Sequence, residues 1–139
     1  MKKISIVVPC YNEQDNVEAL ARAVKERFET SEILKKYDYD ILFMDNDSHD
    51  DTRKILRRMC GEDRHHIKAI FNAKNFGQFN SPYYGMLQTD GDATILMAAD
   101  FQDPPEMIEK FVAGWEEGYK IVIGVKAHST DGKIIYAFR

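Results

Sequence analysis

Ile4-Ser5-Ile6-Val7-Val8-Pro9-Cys10-Tyr11-Asn12-Glu13 decides the fold, because an apolar, β-branched run breaks there into a polar turn. Residues 4–9 have the composition of a buried strand. Behind them Val17, Leu20, Ala21, Val24 and Phe28 recur at helical spacing, so the strand should feed a long amphipathic helix. The unit then repeats. Residues 40–44 read as a second strand, Ile55, Leu56 and Met59 as a helix stripe, and Ile67–Phe71 as a third strand. Residues 83–87 suggest a helix, 93–98 a strand, Ile108, Phe111, Val112 and Trp115 a helix stripe, and Ile121–Val125 a further strand. Such alternation predicts an α/β fold: right-handed crossovers and a mostly parallel sheet with helices on both faces.

Size and charge narrow the function. A chain of 139 residues with 44% hydrophobic and 30% charged content is expected to form one domain over residues 1–139. Its net charge of -4 and pI near 5.6 leave no basic stripe, and Lys25, Arg27, Lys35, Lys36, Arg57 and Arg58 are interspersed with acids. No nucleic-acid partner is expected. Cys10 and Cys60 lack Cys-x-x-Cys spacing, and the chain shows no secretory leader, which together favour a reduced, cytoplasmic setting. No apolar run approaches the ~18 residues of a membrane helix, so any membrane association is expected through segments missing here. Ile134, Ile135, Tyr136 and Phe138 open another apolar pattern with no stop signal after it, so the chain is expected to be incomplete at its C-terminus.

Three polar clusters fall at strand ends, where open α/β sheets bind ligands. In the first, Tyr11 could stack on a planar base and Glu13 accept hydrogen bonds from it, with Pro9 fixing the entry to the turn. The competing reading is that Asn12 or Asp15 caps the helix. Cys10 reads as a small buried residue, not a nucleophile. In the second, residues 45–52 hold Asp45, Asp47, Asp50 and Asp51. Ser48 with Asp51 has the form of a capping box, which leaves Asp45 and Asn46 to face the crevice and read base or ribose. His49 reads as a solvated loop residue, because His65, His66 and His128 show no ligand spacing with it.

The third cluster spans 97–106, Met-Ala-Ala-Asp-Phe-Gln-Asp-Pro-Pro-Glu. Asp103, Pro104 and Glu106 fit an N-cap, a first-turn proline and an N3 acid. Asp100 and Gln102 lie before that cap and need another explanation. If the crevice holds a diphosphate, like charges 4 Å apart repel by ~4 kcal/mol at an effective dielectric near 20, so a divalent cation must intervene. Mg2+ or Mn2+ suits Asp100 and Gln102, since each prefers a few protein oxygens completed by phosphate and water.

PCYNE, DNDS, NAKNFG and AADFQDPPE, each after a successive strand, resemble the inverting glycosyltransferases of family 2 and their Rossmann-like GT-A fold. Within that family the chain is most similar to polyprenyl-phosphate sugar transferases, from Ile4 to about Lys126. The resemblance implies that Pro9, Tyr11 and Glu13 hold the nucleoside of a UDP- or GDP-linked sugar, and that Asp45 and Asn46 line base and ribose. It implies that Lys74, Asn75 and Gly77 form a turn beside the donor, with Ala99 and Asp100 at the diphosphate. Asp100, with Gln102, would carry the Mg2+ or Mn2+ and so serve catalysis through the metal.

The expected partners are a nucleotide-sugar donor and a lipid-phosphate acceptor, placing the longer protein at the inner face of the membrane. Three positions depart from the family's usual pattern: Ala98 and Asn46 stand where Asp is common, and Asp47 where Gly is common. Two alternatives follow: a module that binds nucleotide-sugar without transferring it, and a transferase with a soluble saccharide acceptor. An anionic phosphate acceptor needs no strong general base. None is assigned; His128 is the one weak candidate, and a solvated loop residue is its stronger reading.

Overall fold

A computed structural model describes residues 1–125, with their side chains, and the backbone of 133–137. Strands β1 (Lys3–Cys10), β2 (Asp38–Asp45), β3 (Ile67–Phe71) and β4 (Ala93–Leu96) form a parallel sheet in the order β3-β2-β1-β4. Helices α1 (Val17–Thr30), α2 (Thr52–Glu62), α3 (Gly77–Leu87) and α4 (Met107–Glu116) alternate with them, and β5 (Ile121–Val125) pairs antiparallel with β6 (Lys133–Ala137) in a separate ribbon. His128 lies outside the described residues.

Period-two alternation in the strands divides the core between the two faces of the sheet. Ile4, Ile6 and Val8 of β1, with Ile41 and Phe43 of β2, point to one side, where Val17, Leu20, Val24, Leu56, Ile108 and Val112 from α1, α2 and α4 cover them. Val7, Leu42 and Met44 point to the other, and α3 covers them. Gly85 makes that approach close: a Cβ there would sit 2.7 Å from Cγ of Met44 and 2.9 Å from Cγ1 of Val7. The expected helices on both faces are present.

Register sets the functional edge. β1 aligns Cys10 with Asp45 of β2, and β2 aligns Asp45 with Phe71 of β3, so three strands end at one level. The chain runs outward from β1 to β2 and β3, then returns to place β4 on the other side of β1. That reversal is the topological switch point, and the crevice beyond it is where such sheets bind ligands.

Several expectations shift in detail. β4 ends at Leu96 rather than residue 98, although the Met97 N–H still bonds to the Val7 carbonyl at 3.0 Å. α3 begins at Gly77, well before the expected 83, and carries Pro82 inside it. A proline removes one backbone donor and clashes with the carbonyl four residues back, which is why the sequence reads as starting its helix after it.

Candidate functional site

Three of the four loops leaving the parallel sheet contain one residue in the left-handed backbone region, Asn12 at φ 52°, Asp47 at 62° and Phe101 at 61°, and Gly77, which opens α3 after the remaining loop, is at 87°. Glycine takes this conformation freely and Asn or Asp with modest strain, but a bulky aromatic pays ~1–2 kcal/mol. Asp47 thus occupies the conformation that glycine would favour. The surrounding hydrogen bonds hold these turns.

Loops one and two are laced together by side chains. The Asn12 N–H donates to Ser48 Oγ at 2.8 Å, the Glu13 N–H to Thr52 Oγ1 at 2.9 Å, and the Gln14 N–H to Asp50 Oδ2 at 3.3 Å. In return His49 N–H donates to Asn12 Oδ1 at 2.9 Å and Asp51 N–H to Gln14 Oε1 at 3.0 Å. The Ser48–Asp51 capping box is therefore corrected. α2 starts at Thr52 with no side-chain cap, because Ser48 serves the neighbouring loop and accepts from Asn12. Neither Asn12 nor Asp15 caps α1, whose N-cap position is Asn16; the Asn16 amide donates to Glu13 Oε2 at 2.8 Å.

A second correction falls on loop four. Asp103 is not the N-cap of α4, and Glu106, which holds that position, makes no side-chain cap bond. Asp103 Oδ2 instead accepts from the Ala98 N–H at 3.0 Å, closing the loop on its own base. Within it, Asp100 Oδ1 accepts from the Gln102 N–H at 3.2 Å and Oδ2 from Gln102 Nε2 at 2.6 Å. The left-handed turn at Phe101 permits this grip.

The expected site residues divide by depth. Tyr11 is 45% exposed, and Lys74, Asn75, Asp100 and Gln102 are also on the surface. Pro9 and Glu13 are half-buried, while Asp45, Asn46 and Ala99 are buried. Asp45 accepts from the Ser48 N–H at 3.2 Å and lies 3.3 Å from Arg53 Nε, yet its Oδ1 is buried with no hydrogen-bond partner. The Asn46 amide is fully engaged: Oδ1 accepts from Asn72 Nδ2 at 3.0 Å and from Phe76 N–H at 3.4 Å, while Nδ2 donates to the Gly77 carbonyl at 3.3 Å. Asn75 Oδ1 accepts from the Gly77 N–H at 2.8 Å, and Lys74 Nζ sits 5.1 Å from the centre of the Phe76 ring. Asn46 therefore organises the third loop. Asn72, which also donates to Ser81 Oγ at 3.1 Å, belongs to the same network, and no sequence spacing signalled it.

Cys10 has the buried role expected of it. Burial, with Asp45 next in effect, pushes its thiol above the ordinary range, which opposes formation of the nucleophilic thiolate. His49 is exposed, as expected.

Asp100 and Gln102 fit a hard divalent cation by donor type, since a carboxylate and an amide offer oxygens only and both lie at the surface of the crevice. Gln102 would have to turn its amide so that the oxygen, not the nitrogen, faces the ion. An open groove of about 970 Å³ starts beside this loop at Gln102 and Asp103 and runs between the β4 edge, α4 and β5.

The parallel sheet with its switch point and the loops at its carboxyl edge has the α/β architecture of the GT-A fold. The model of the Glycosyl transferase family 2 matches residues 5–138, and the chain belongs to that family. Over 131 residues it is 37% identical to the undecaprenyl-phosphate 4-deoxy-4-formamido-L-arabinose transferase of Yersinia enterocolitica, covering 94% of this chain and 39% of the relative. The transferase of the same name from Klebsiella pneumoniae is 34% identical over 131 residues, with the same coverage of 94% and 39%. The chain thus spans about 39% of the length of these curated relatives. Among solved structures, S. aureus TarS 1-349 superposes with a TM-score of 0.68 at 19% identity, over 94% of this chain and 37% of that one. Glucosyl-3-phosphoglycerate synthase from Mycobacterium tuberculosis, in complex with Mn2+, UDP and phosphoglyceric acid, superposes with a TM-score of 0.65 at 18% identity, over 93% and 44%.

Proposed function

We propose that the chain is the donor-binding part of an inverting transferase that moves a sugar from a UDP- or GDP-linked donor to a polyprenyl phosphate at the inner face of a membrane. The observation that supports this reading is that all four motifs follow the carboxyl ends of the parallel strands, the edge at which the switch point opens, with Asp100 exposed. The acceptor class is supported by the undecaprenyl-phosphate transferases at 37% identity. Among the described residues no helix is long and apolar enough to cross a membrane.

Tyr11 stacks on the base, Glu13 accepts from the nucleoside, and the unpartnered Oδ1 of Asp45 offers an acceptor to a base N–H. Because Asp45 is wholly buried, a base N–H reaches its Oδ1 only when the overlying loop moves. Lys74, Asn75 and Gly77 flank the donor, with Ala99 beneath the diphosphate. Asp100 and Gln102 would hold Mg2+ or Mn2+, which supplies charge neutralisation to the departing nucleoside diphosphate. The acceptor phosphate oxygen is already anionic, so it attacks the anomeric carbon without a strong general base. Attack opposite the leaving group inverts the configuration.

Calorimetric titration with UDP and GDP, each with and without Mn2+, tests this. Metal-dependent binding of one nucleotide is expected, and Asp100→Ala should remove the metal dependence while far-UV circular dichroism stays unchanged. A folded protein that binds neither nucleotide would overturn the reading. Ala98, where the family usually has Asp, favours a second reading, a module that binds donor without transfer. Donor binding with no sugar transfer or donor hydrolysis by the longer protein would select it. Because the M. tuberculosis synthase of similar fold is complexed with phosphoglyceric acid, a small non-lipid molecule, transfer assays should offer a polyprenyl phosphate and a small soluble acceptor side by side.

A further inference from the structure

At the opposite pole of the sheet, Asp38 opens β2 while His65 and His66 sit just before β3. One ligating atom from each of the three residues lies within 4.8 Å of the other two. Asp38 Oδ1 is 2.9 Å from His65 Nε2 and 4.0 Å from His66 Nε2. In a tetrahedral zinc site with bonds of 2.0–2.2 Å, ligand atoms stand ~3.4 Å apart, between these two values. Shifts of ~0.5 Å would bring both Asp38 distances to that spacing, and the two histidine nitrogens lie within 4.8 Å of each other.

The environment orients the site. His66 Nδ1 is 3.0 Å from the Asp63 carboxylate, a pairing that suits a proton on Nδ1 and leaves Nε2, 4.0 Å from Asp38 Oδ1, as the nitrogen placed to ligate a metal. That is the carboxylate–histidine–metal relation by which proteins set the tautomer of a ligating imidazole. The His66 ring is held further by stacking on Tyr39 at 4.3 Å, and Tyr39 stacks on Phe28 at 4.3 Å, so a column of three rings anchors it to the core. His65 meets His66 edge-on, with ring centres 4.6 Å apart and planes at 86°. Here both Nε2 atoms converge on Asp38, and Asp63 takes the far nitrogen of His66.

The geometry points to a second metal site, in which His65 Nε2, His66 Nε2 and the Asp38 carboxylate bind Zn2+ with water completing the shell. Its mixed nitrogen and oxygen donors suit zinc, whereas the all-oxygen pair Asp100 and Gln102 suits Mg2+ or Mn2+. A bound ion would tie the start of β2 to the α2–β3 turn. The site does not rest on the proposed transfer reaction.

Titrating the metal-free chain with ZnCl2 by calorimetry should show one equivalent bound. His65→Gln and Asp38→Asn should each weaken it at least tenfold, and Asp100→Asn should leave it unchanged, with circular dichroism checking that every variant is folded. Co2+ in place of zinc should give the visible bands of a four-coordinate ion without the thiolate charge-transfer band that Cys10 or Cys60 would produce. The site is overturned by any of three results: no zinc binding to the folded protein, less than a tenfold loss in His65→Gln, or loss in Asp100→Asn.

Discussion

Asp50 shows how single side chains hold the crevice. Its carboxylate accepts from the Thr52 N–H at 2.9 Å and the Gln14 N–H at 3.3 Å, joining loops one and two. Burial acts to raise its pKa, but these hydrogen bonds outweigh burial and hold it below the ordinary 3.8. A depressed folded value means that the interaction stabilises fully above the unfolded pKa and is lost as pH falls through the folded one. The loops should therefore loosen below about pH 4. Asp50→Asn should cost roughly 0.5–1.5 kcal/mol at pH 7 and flatten the loss of stability between pH 5 and 3, as read by urea unfolding. Tyr11 is a different case, since it is exposed and the fold does not need it. Tyr11→Ala should leave unfolding unchanged and weaken nucleotide binding about 3- to 10-fold, from ~0.5–1.5 kcal/mol of lost stacking. Equal affinity in the two proteins would remove Tyr11 from the base site.

Among the elements, α3 is the most constrained. Gly85 lets it approach Met44 and Val7, and its first turn is fastened through Asn46, Asn72 and Ser81. Gly85→Val should cost at least ~1–3 kcal/mol by overpacking, with the loss of helix measurable in thermal unfolding. Asn46→Ala would leave the Phe76 N–H without its acceptor and the Asn72 amide with Ser81 alone, for ~1–3 kcal/mol, and should raise hydrogen exchange in residues 72–80 before it affects β1.

The elements show where sequence reading reaches its limit. β3 and β5 coincide with their apolar runs because polar residues bound those runs in the sequence, His66 and Asn72 for β3, Lys120 and Lys126 for β5. α3 was legible only past Pro82, since local rules cannot know that side chains such as Asn80, donating to the Phe76 carbonyl at 3.3 Å, support the turn before it. Ser48, Asp51, Asp103 and Glu106 match capping patterns in one dimension, but their polar groups are spent across loops or left in solvent. The candidate crevice was legible because its residues follow the strands in order. Asp38 and the His65–His66 pair were not, because 27 residues separate Asp38 from His65 and only the β2–β3 pairing unites them.

Across the whole molecule, the two faces of the sheet are unequally covered. Among the described residues one carries α1, α2 and α4 over a continuous core, while the other has α3 over the smaller cluster of Val7, Leu42 and Met44 with half-buried Ile70 against it. α3 in turn presents Phe79, Tyr83 and Leu87, four residues apart and 78%, 61% and 63% exposed. On a helix that spacing makes one stripe, and Leu96 of β4 adds to the apolar surface on its own edge at 45% exposure. A contiguous apolar stripe drives association when nothing covers it. The 139-residue chain should therefore bind an apolar dye such as ANS in its native state and self-associate at tens of micromolar. The double variant Phe79→Ser, Leu87→Gln removes side chains that contribute little to folding here, so its unfolding free energy should change by no more than about 0.5 kcal/mol per site. Dye fluorescence and the associating fraction in sedimentation velocity should both fall. A loss of ~2–5 kcal/mol would instead mean that the stripe is packed as core, and the assignment of α3 as the thinly covered face would be wrong.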